Sequence, residues 1–274
     1  MTMQELTDTD IGDIITLLRQ CYGYDFTDYS MASFKRRLQR VMDNNRIKNA
    51  ESLHQLILND KLFSATLLEN MTVNVTEMFR DPNFYRQLVE KVVPVLASYP
   101  IIQIWHAGCS TGEEVFSLAI LLQEAGLLTR CRIYATDINP NNVEKARQGI
   151  MDVRLMKSYT QNYMAAGGKS DFSAYYTARY EHAIIRKDLR EKILFVQHNL
   201  VSDGVFNEFQ LICCRNVLIY FNRLLQSRVL GLFYNSLAPL GYLALGTKES
   251  LLFSNVKDRF ETLDGVAKIF RKKD

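Results

Sequence analysis

Hydrophobic positions along this chain follow one period up to about residue 70 and another from Pro100 onward. In the first stretch apolar side chains recur at helical spacing. Asp10 leads into Ile14, Ile15, Leu17 and Leu18, one stripe of a first helix. A second helix, over about 31–44, places Phe34, Leu38, Val41 and Met42 on one face and Lys35, Arg36, Arg37 and Arg40 on the remaining arc. Leu53, Leu56, Ile57, Leu62 and Leu67 predict a further helix from Ser52 to Asn70.

From Pro100 the pattern is that of strands alternating with helices. Ile101 to Trp105 is a short apolar run ending in a glycine loop, which predicts a buried strand. A helix (Glu113 to Ala125), a strand (Arg132 to Thr136) and a helix (Asn141 to Arg147) follow. Strands are then expected at Lys192 to Gln197 and Phe209 to Cys214, a long helix at Arg223 to Leu237, and a strand at Tyr242 to Gly246. A closing strand pair surrounds Phe260 and Ile269. Such alternation implies a mostly parallel sheet covered on both faces. Residues 151–190 interrupt it. Their Gly167-Gly168 turn and their β-prone Tyr175, Tyr176, Tyr180, Ile184 and Ile185 predict a small antiparallel insertion. The expected organisation is a helical domain (1–70), a linker with its first helix (71–99), and an α/β domain (100–274) carrying the insertion.

Composition narrows the class. Of 274 residues, 47% are hydrophobic and 23% charged, which suits a soluble globular chain rather than a disordered one. A formal net charge of +3 does not by itself call for a polyanion partner. The polar, acidic N-terminus does not resemble a signal peptide. The most apolar stretch, Val115 to Leu122, is too short to cross a bilayer. Five cysteines without C-x-x-C spacing and scattered histidines point to reduced thiols in a cytoplasm and to no metal site.

The loop His106-Ala107-Gly108-Cys109-Ser110-Thr111-Gly112-Glu113-Glu114 lies where an open α/β sheet binds ligands. Gly108 and Gly112 allow a tight turn and close approach. A dinucleotide would set its pyrophosphate on the helix N-terminus that follows. Here Glu113 and Glu114 occupy that terminus and would repel it; they suit an ammonium or sulfonium group. Asp137 closes the next strand, where a carboxylate can accept hydrogen bonds from ribose hydroxyls. Together these features point to S-adenosyl-L-methionine rather than NAD.

Three further segments carry a resemblance. They are Asn74-Val75-Thr76-Glu77-Met78-Phe79-Arg80-Asp81-Pro82, Cys214-Arg215-Asn216-Val217-Leu218-Ile219-Tyr220-Phe221, and Leu240-Gly241-Tyr242-Leu243-Ala244-Leu245-Gly246 ahead of Glu249-Ser250. With the glycine loop, they resemble the chemotaxis receptor methyltransferase family, CheR, over nearly the whole chain. The resemblance implies a class I methyltransferase-like sheet behind an all-helical domain, and transfer of a methyl group to receptor glutamates. It implies cofactor contacts from Asn74, Thr76 and Arg80, from Gly108, from Glu113 or Glu114, and from Asp137, Asn199, Leu200, Asn216 and Val217. Arg80 and Tyr220 would lie near the reacting methyl, and S-adenosyl-L-homocysteine would be the product. The basic face of Lys35, Arg36, Arg37 and Arg40 would meet the cytoplasmic helices of chemoreceptors, with no nucleic-acid partner and no membrane insertion, and with possible recruitment to receptor arrays. The insertion departs from the family: Ala166 to Asp171 is longer than the Arg-Gly-x-Gly turn of members that bind a receptor tail, and lacks its arginine.

A glutamate is ionised at neutral pH, its pKa being about 4.3, so the chemistry needs no general base. Two other readings stay open. A nucleic-acid methyltransferase that methylates amino groups would often carry Asn/Asp-Pro-Pro-Tyr where this chain has Arg215-Asn216-Val217-Leu218. A non-catalytic sensor of the cofactor would have no use for Arg80, Asp137 and Tyr220 together.

Overall fold

The computed structural model describes residues 6–72 and 76–274, which fall into two units. One comprises residues 6–72 with Ile219–Gln226; the other comprises residues 76–218 with Ser227–Asp274.

The first unit holds α1 (Asp8–Tyr22), α2 (Met31–Asn45), α3 (Ala50–Asn59) and α4 (Lys61–Met71). Thr7 and Asp10 form a capping box at the start of α1, and Gly23, at φ 75°, ends it. The apolar stripes meet as expected: Ile11, Ile14 and Leu18 pack with Phe34, Leu38, Val41, Leu53, Ile57 and Leu67 in one buried cluster. The helix expected over 52–70 is instead two. Asp60 ends α3 in extended conformation, and its carboxylate accepts the Phe63 N–H to start α4. The segment Ile219–Gln226 belongs here too. The Ser30 N–H donates to the Tyr220 carbonyl and the Asn222 N–H to the Asp28 carbonyl, each at 2.8 Å.

The second unit begins with α5 (Pro82–Lys91), α6 (Val93–Leu96), β1 (Ile102–Ala107), α7 (Glu113–Glu124), β2 (Cys131–Asp137) and α8 (Pro140–Gln148). The insertion follows: β3 (Ile150–Asp152), α9 (Met156–Ala165), β4 (Tyr176–Arg179), β5 (His182–Ile185) and α10 (Lys187–Arg190). The chain then runs through β6 (Ile193–Gln197), β7 (Phe209–Cys214), α11 (Arg223–Ser236, in this unit from Ser227 onward), β8 (Leu237–Leu245), β9 (Phe260–Asp264) and β10 (Ile269–Lys272).

The large sheet has the order β6-β2-β1-β7-β8-β10-β9. Its first five strands are parallel, and β10 and β9 complete it antiparallel. All of β7 is buried, which is why that strand reads as a continuous apolar run. Trp105, fully buried in β1, satisfies its indole N–H on the Thr136 hydroxyl at 2.9 Å. From β1 the chain proceeds outward to β2 and β6, then returns to the other side of β1 with β7 and β8. That reversal opens a crevice at the carboxyl ends of β1 and β7, the position where such sheets bind ligands.

The insertion is antiparallel as expected, in the order β3-β5-β4. Its glycines do a different job from the one expected. Gly167 and Gly168 terminate α9, donating to the carbonyls of Met164 and Tyr163, while the hairpin turns at Tyr180, φ 52°. Among the described residues no helix is long and apolar enough to cross a membrane.

Candidate active site

The loop after β1 is shaped by what lies across the crevice. Gly108 has φ +81°, and a Cβ there would stand 2.4 Å from Val217 Cγ2, so the loops after β1 and β7 touch at this glycine. The N–H groups of Gly108 and Cys109 both donate to the Thr136 carbonyl at 2.8 Å. Ser110, at φ 50°, turns its N–H onto Asp137 Oδ2 at 2.8 Å. Asp137 Oδ1 accepts from the Asn139 N–H at 2.9 Å and from Asn142 Nδ2 at 3.3 Å. Its carbonyl takes the His198 N–H at 3.1 Å, which sets the half-buried Asn199 and Leu200 beside it. Burial raises the Asp137 pKa, and the backbone N–H donors of Asn139 and Ser110 oppose that rise.

The two glutamates at the start of α7 differ in kind. Glu114 Oε2 accepts from Arg215 Nη1 at 3.0 Å, and Oε1 lies 3.1 Å from His106 Nδ1. Burial opposes its ionisation, but His106 and the Arg215 charge outweigh burial and lower its pKa. Glu113 accepts the Thr111 hydroxyl at 2.6 Å, and burial pushes its pKa up. Among the described residues no cationic side chain pairs with Glu113. Its carboxylate sits in the first turn of α7, just past the carboxyl end of β1.

Across the crevice Asn216 adopts φ 63°. The buried Glu249 carboxylate holds this turn, accepting N–H bonds from Asn216 at 3.0 Å, Val217 at 2.8 Å and Gly246 at 2.6 Å. Arg80 is half-buried in a turn where Phe79 and Asp81 both have positive φ, 54° and 56°. That turn is pinned by the Phe79 N–H on Ser117 Oγ at 2.9 Å and by Arg215, which donates to the Arg80 carbonyl at 3.3 Å and to Asp81 Oδ2 at 2.7 Å. Thr76 is half-buried in coil ahead of it, and Asn74 lies outside the described residues.

Sequence reasoning quoted Glu249 and Arg215 within motifs but assigned a role to neither. The one available signal was their position, a charged residue directly after an apolar strand and another just past Gly246. His106, Glu114 and Cys213 bring donor atoms within 4.8 Å of one another, but Arg215 already holds Glu114 and would repel a metal cation.

Tyr220 belongs to the first unit. The Arg37 guanidinium lies 4.6 Å from its ring centroid and also donates to the Met71 carbonyl. Arg37, expected on the solvated arc of α2, is therefore turned inward and half-buried; Lys35 is half-buried as well, and Arg36 and Arg40 are exposed.

A doubly wound sheet with this strand order, a tight glycine loop after β1 and, at the helix N-terminus that follows, a carboxylate with no cationic partner among the described residues define, with the family match, an S-adenosylmethionine-dependent methyltransferase. Residues 74–269 match the family model described as CheR methyltransferase, SAM binding domain, and residues 9–72 match CheR methyltransferase, all-alpha domain. The chain belongs to the CheR methyltransferase family. A Pseudomonas putida protein carrying the methyltransferase name Cher3 is 48% identical over 272 residues, covering 99% of this chain and 100% of that one. A chemotaxis protein methyltransferase of Vibrio parahaemolyticus is 29% identical over 270 residues, 95% of each chain. Among solved structures, the N-methyltransferase NodS of Bradyrhizobium japonicum with S-adenosyl-L-homocysteine is 12% identical, covers 88% of this chain and 99% of that one, and has a TM-score of 0.43.

Proposed function

We propose that the protein methylates glutamate carboxylates of chemoreceptors or related signalling proteins, forming methyl esters. The observation that carries this reading is the pairing of Glu114 with Arg215 while Glu113 pairs with no cationic side chain among the described residues. A site so arranged receives a positively charged methyl donor and has no need of a base for an acceptor that is already an anion. The relatives named as chemotaxis protein methyltransferases direct the choice of acceptor.

In this reading Glu113 holds the amino-acid end of S-adenosyl-L-methionine, Asp137 the ribose, and Asn199 and Leu200 the adenine. Gly108, Asn216 and Val217 line the crevice, and Asn74, Thr76 and Arg80 are the further cofactor contacts that the family resemblance assigns. When bound, the cofactor supplies an electrophilic methyl on a sulfonium. Arg80 orients the acceptor carboxylate through its fork of N–H donors, and Tyr220 is the second residue that the family resemblance assigns to the reaction. Anion and sulfonium become neutral products, so the protein gains by excluding water and by alignment, the latter worth several kcal/mol of roughly 7–11 available. The division into a helical domain (1–70), a linker (71–99) and a methyltransferase domain (100–274) accompanies this reading. Lys35, Arg36 and Arg40 of the helical domain meet acidic receptor helices in the cytoplasm, at receptor arrays.

The test is incubation with methyl-labelled cofactor and a receptor-rich membrane fraction. Label on receptor-sized protein is the expected result. Label on nucleic acid instead, or cofactor binding without transfer, would refute the proposal.

A further inference from the structure

Arg215 is a deeply buried charge of the second unit's crevice, its side chain 1% exposed. A guanidinium taken out of water must be repaid by partners of good geometry. Its partners come from segments far apart in the chain: Asp81 ahead of α5, the Arg80 carbonyl, and Glu114 in the first turn of α7. The ring of Phe84 stacks on it at 4.0 Å. Its own backbone leads directly into Asn216, the left-handed residue that opens the loop touching Gly108. Three non-glycine residues with positive φ, Phe79, Asp81 and Asn216, thus flank the bonds of one side chain. Such conformations persist where the surroundings over-determine them, and they concentrate at working sites.

We infer that Arg215 is a positioning residue for methyl transfer: by gripping the Arg80 carbonyl and the Asp81 carboxylate it sets where the Arg80 side chain leaves the backbone, relative to the Asn216–Val217 loop. Its grip on Glu114 has a second consequence, since it leaves Glu113 as the only unneutralised carboxylate of the pair. The inference rests on the role given above to Arg80. A bland alternative exists, a buried ion cluster that contributes stability alone, and the two predict different kinetics.

Asp81→Asn separates them. Asparagine is at home at positive φ, so the substitution adds no backbone strain and only trades the charge-assisted bond to Arg215 for a neutral, weaker hold on the turn. The Asp81 side chain is 36% exposed, and Glu114 still balances Arg215, so no unpaired buried charge is created. Turnover with a receptor-rich membrane fraction should fall between about 10- and 100-fold, the cost of a misplacement near 1 Å. Melting temperature and calorimetric affinity for S-adenosyl-L-homocysteine should stay close to those of the parent. In an Arg80→Ala background the same substitution should cost nothing further. Arg215→Lys should lose turnover too, and Arg215→Ala, if it folds, should regain part of it with added methylguanidinium.

Full turnover in Asp81→Asn while Arg80→Ala is impaired would overturn this inference alone. So would a turnover loss that merely tracks the loss of folded protein, or losses that add in the double variant. Full turnover in Arg80→Ala would overturn the reading of Arg80 and this inference with it.

Discussion

Replacing Gly108 by alanine tests the crevice at its tightest point. The new Cβ meets two separable penalties. A left-handed backbone, φ +81°, costs an L-residue about 1–2 kcal/mol. The 2.4 Å approach to Val217 Cγ2 adds an overpacking cost of about 1–3 kcal/mol. Gly126→Ala is the internal control: its φ is +71°, yet nothing lies within 4 Å of the added atom, so it carries the backbone penalty alone. At roughly 2–4 °C per kcal/mol for a unit of this size, Gly126→Ala should lower the melting temperature by about 2–8 °C. Gly108→Ala should lower it further, or else relieve the clash by moving Val217 and so weaken the cofactor site. Thermal unfolding with and without S-adenosyl-L-homocysteine, together with calorimetry, distinguishes these two routes. Either satisfies the prediction, because each carries the overpacking that Gly126→Ala lacks. If Gly108→Ala matched Gly126→Ala in stability and the parent in cofactor affinity, the claimed contact between the two loops would be wrong.

Cofactor affinity should depend on pH with a definite sign. Burial raises the pKa of Glu113 from its ordinary 4.5, and that of Asp137 likewise, so ionising either group costs more in the folded protein than in the unfolded chain. The stability they contribute is present at low pH and is lost as pH rises through the raised values. A bound cation favours ionised Glu113, so binding should release protons, and strengthen, as pH rises through the raised range above 4.5; calorimetry in buffers of different ionisation enthalpy measures this, and Glu113→Gln should remove most of it. Arg36→Gln with Arg40→Gln should raise the KM for receptor and flatten its salt dependence while leaving affinity for S-adenosyl-L-homocysteine unchanged, as read by initial rates between low and high salt.

Much of this was legible in the residues. Helical stripes such as Ile14 and Leu18, or Phe34, Leu38 and Val41, landed in one core, and the buried runs of β1 and β7 announced a parallel sheet. The break at Asp60 escaped because apolar spacing continues through it; the local sign was an aspartate able to cap Phe63. What periodicity could not supply was long-range pairing. Arg215 meets Glu114 and Asp81 across 101 and 134 residues, and Glu249 grips loops 32 and 33 residues back. No local pattern encodes such contacts. The same limit hid the difference between Glu113 and Glu114, adjacent in sequence and opposite in environment. It also hid the inward turn of Arg37, whose partner Tyr220 comes from a segment remote in the chain.

The central claim is the formation of a carboxylate ester, and its most direct measurement is alkaline release of labelled methanol from protein methylated in vitro. The account predicts that nearly all transferred label is volatile after mild base and that peptide mapping puts it on glutamates. Label that survives base on lysine, arginine or a nucleobase would contradict it.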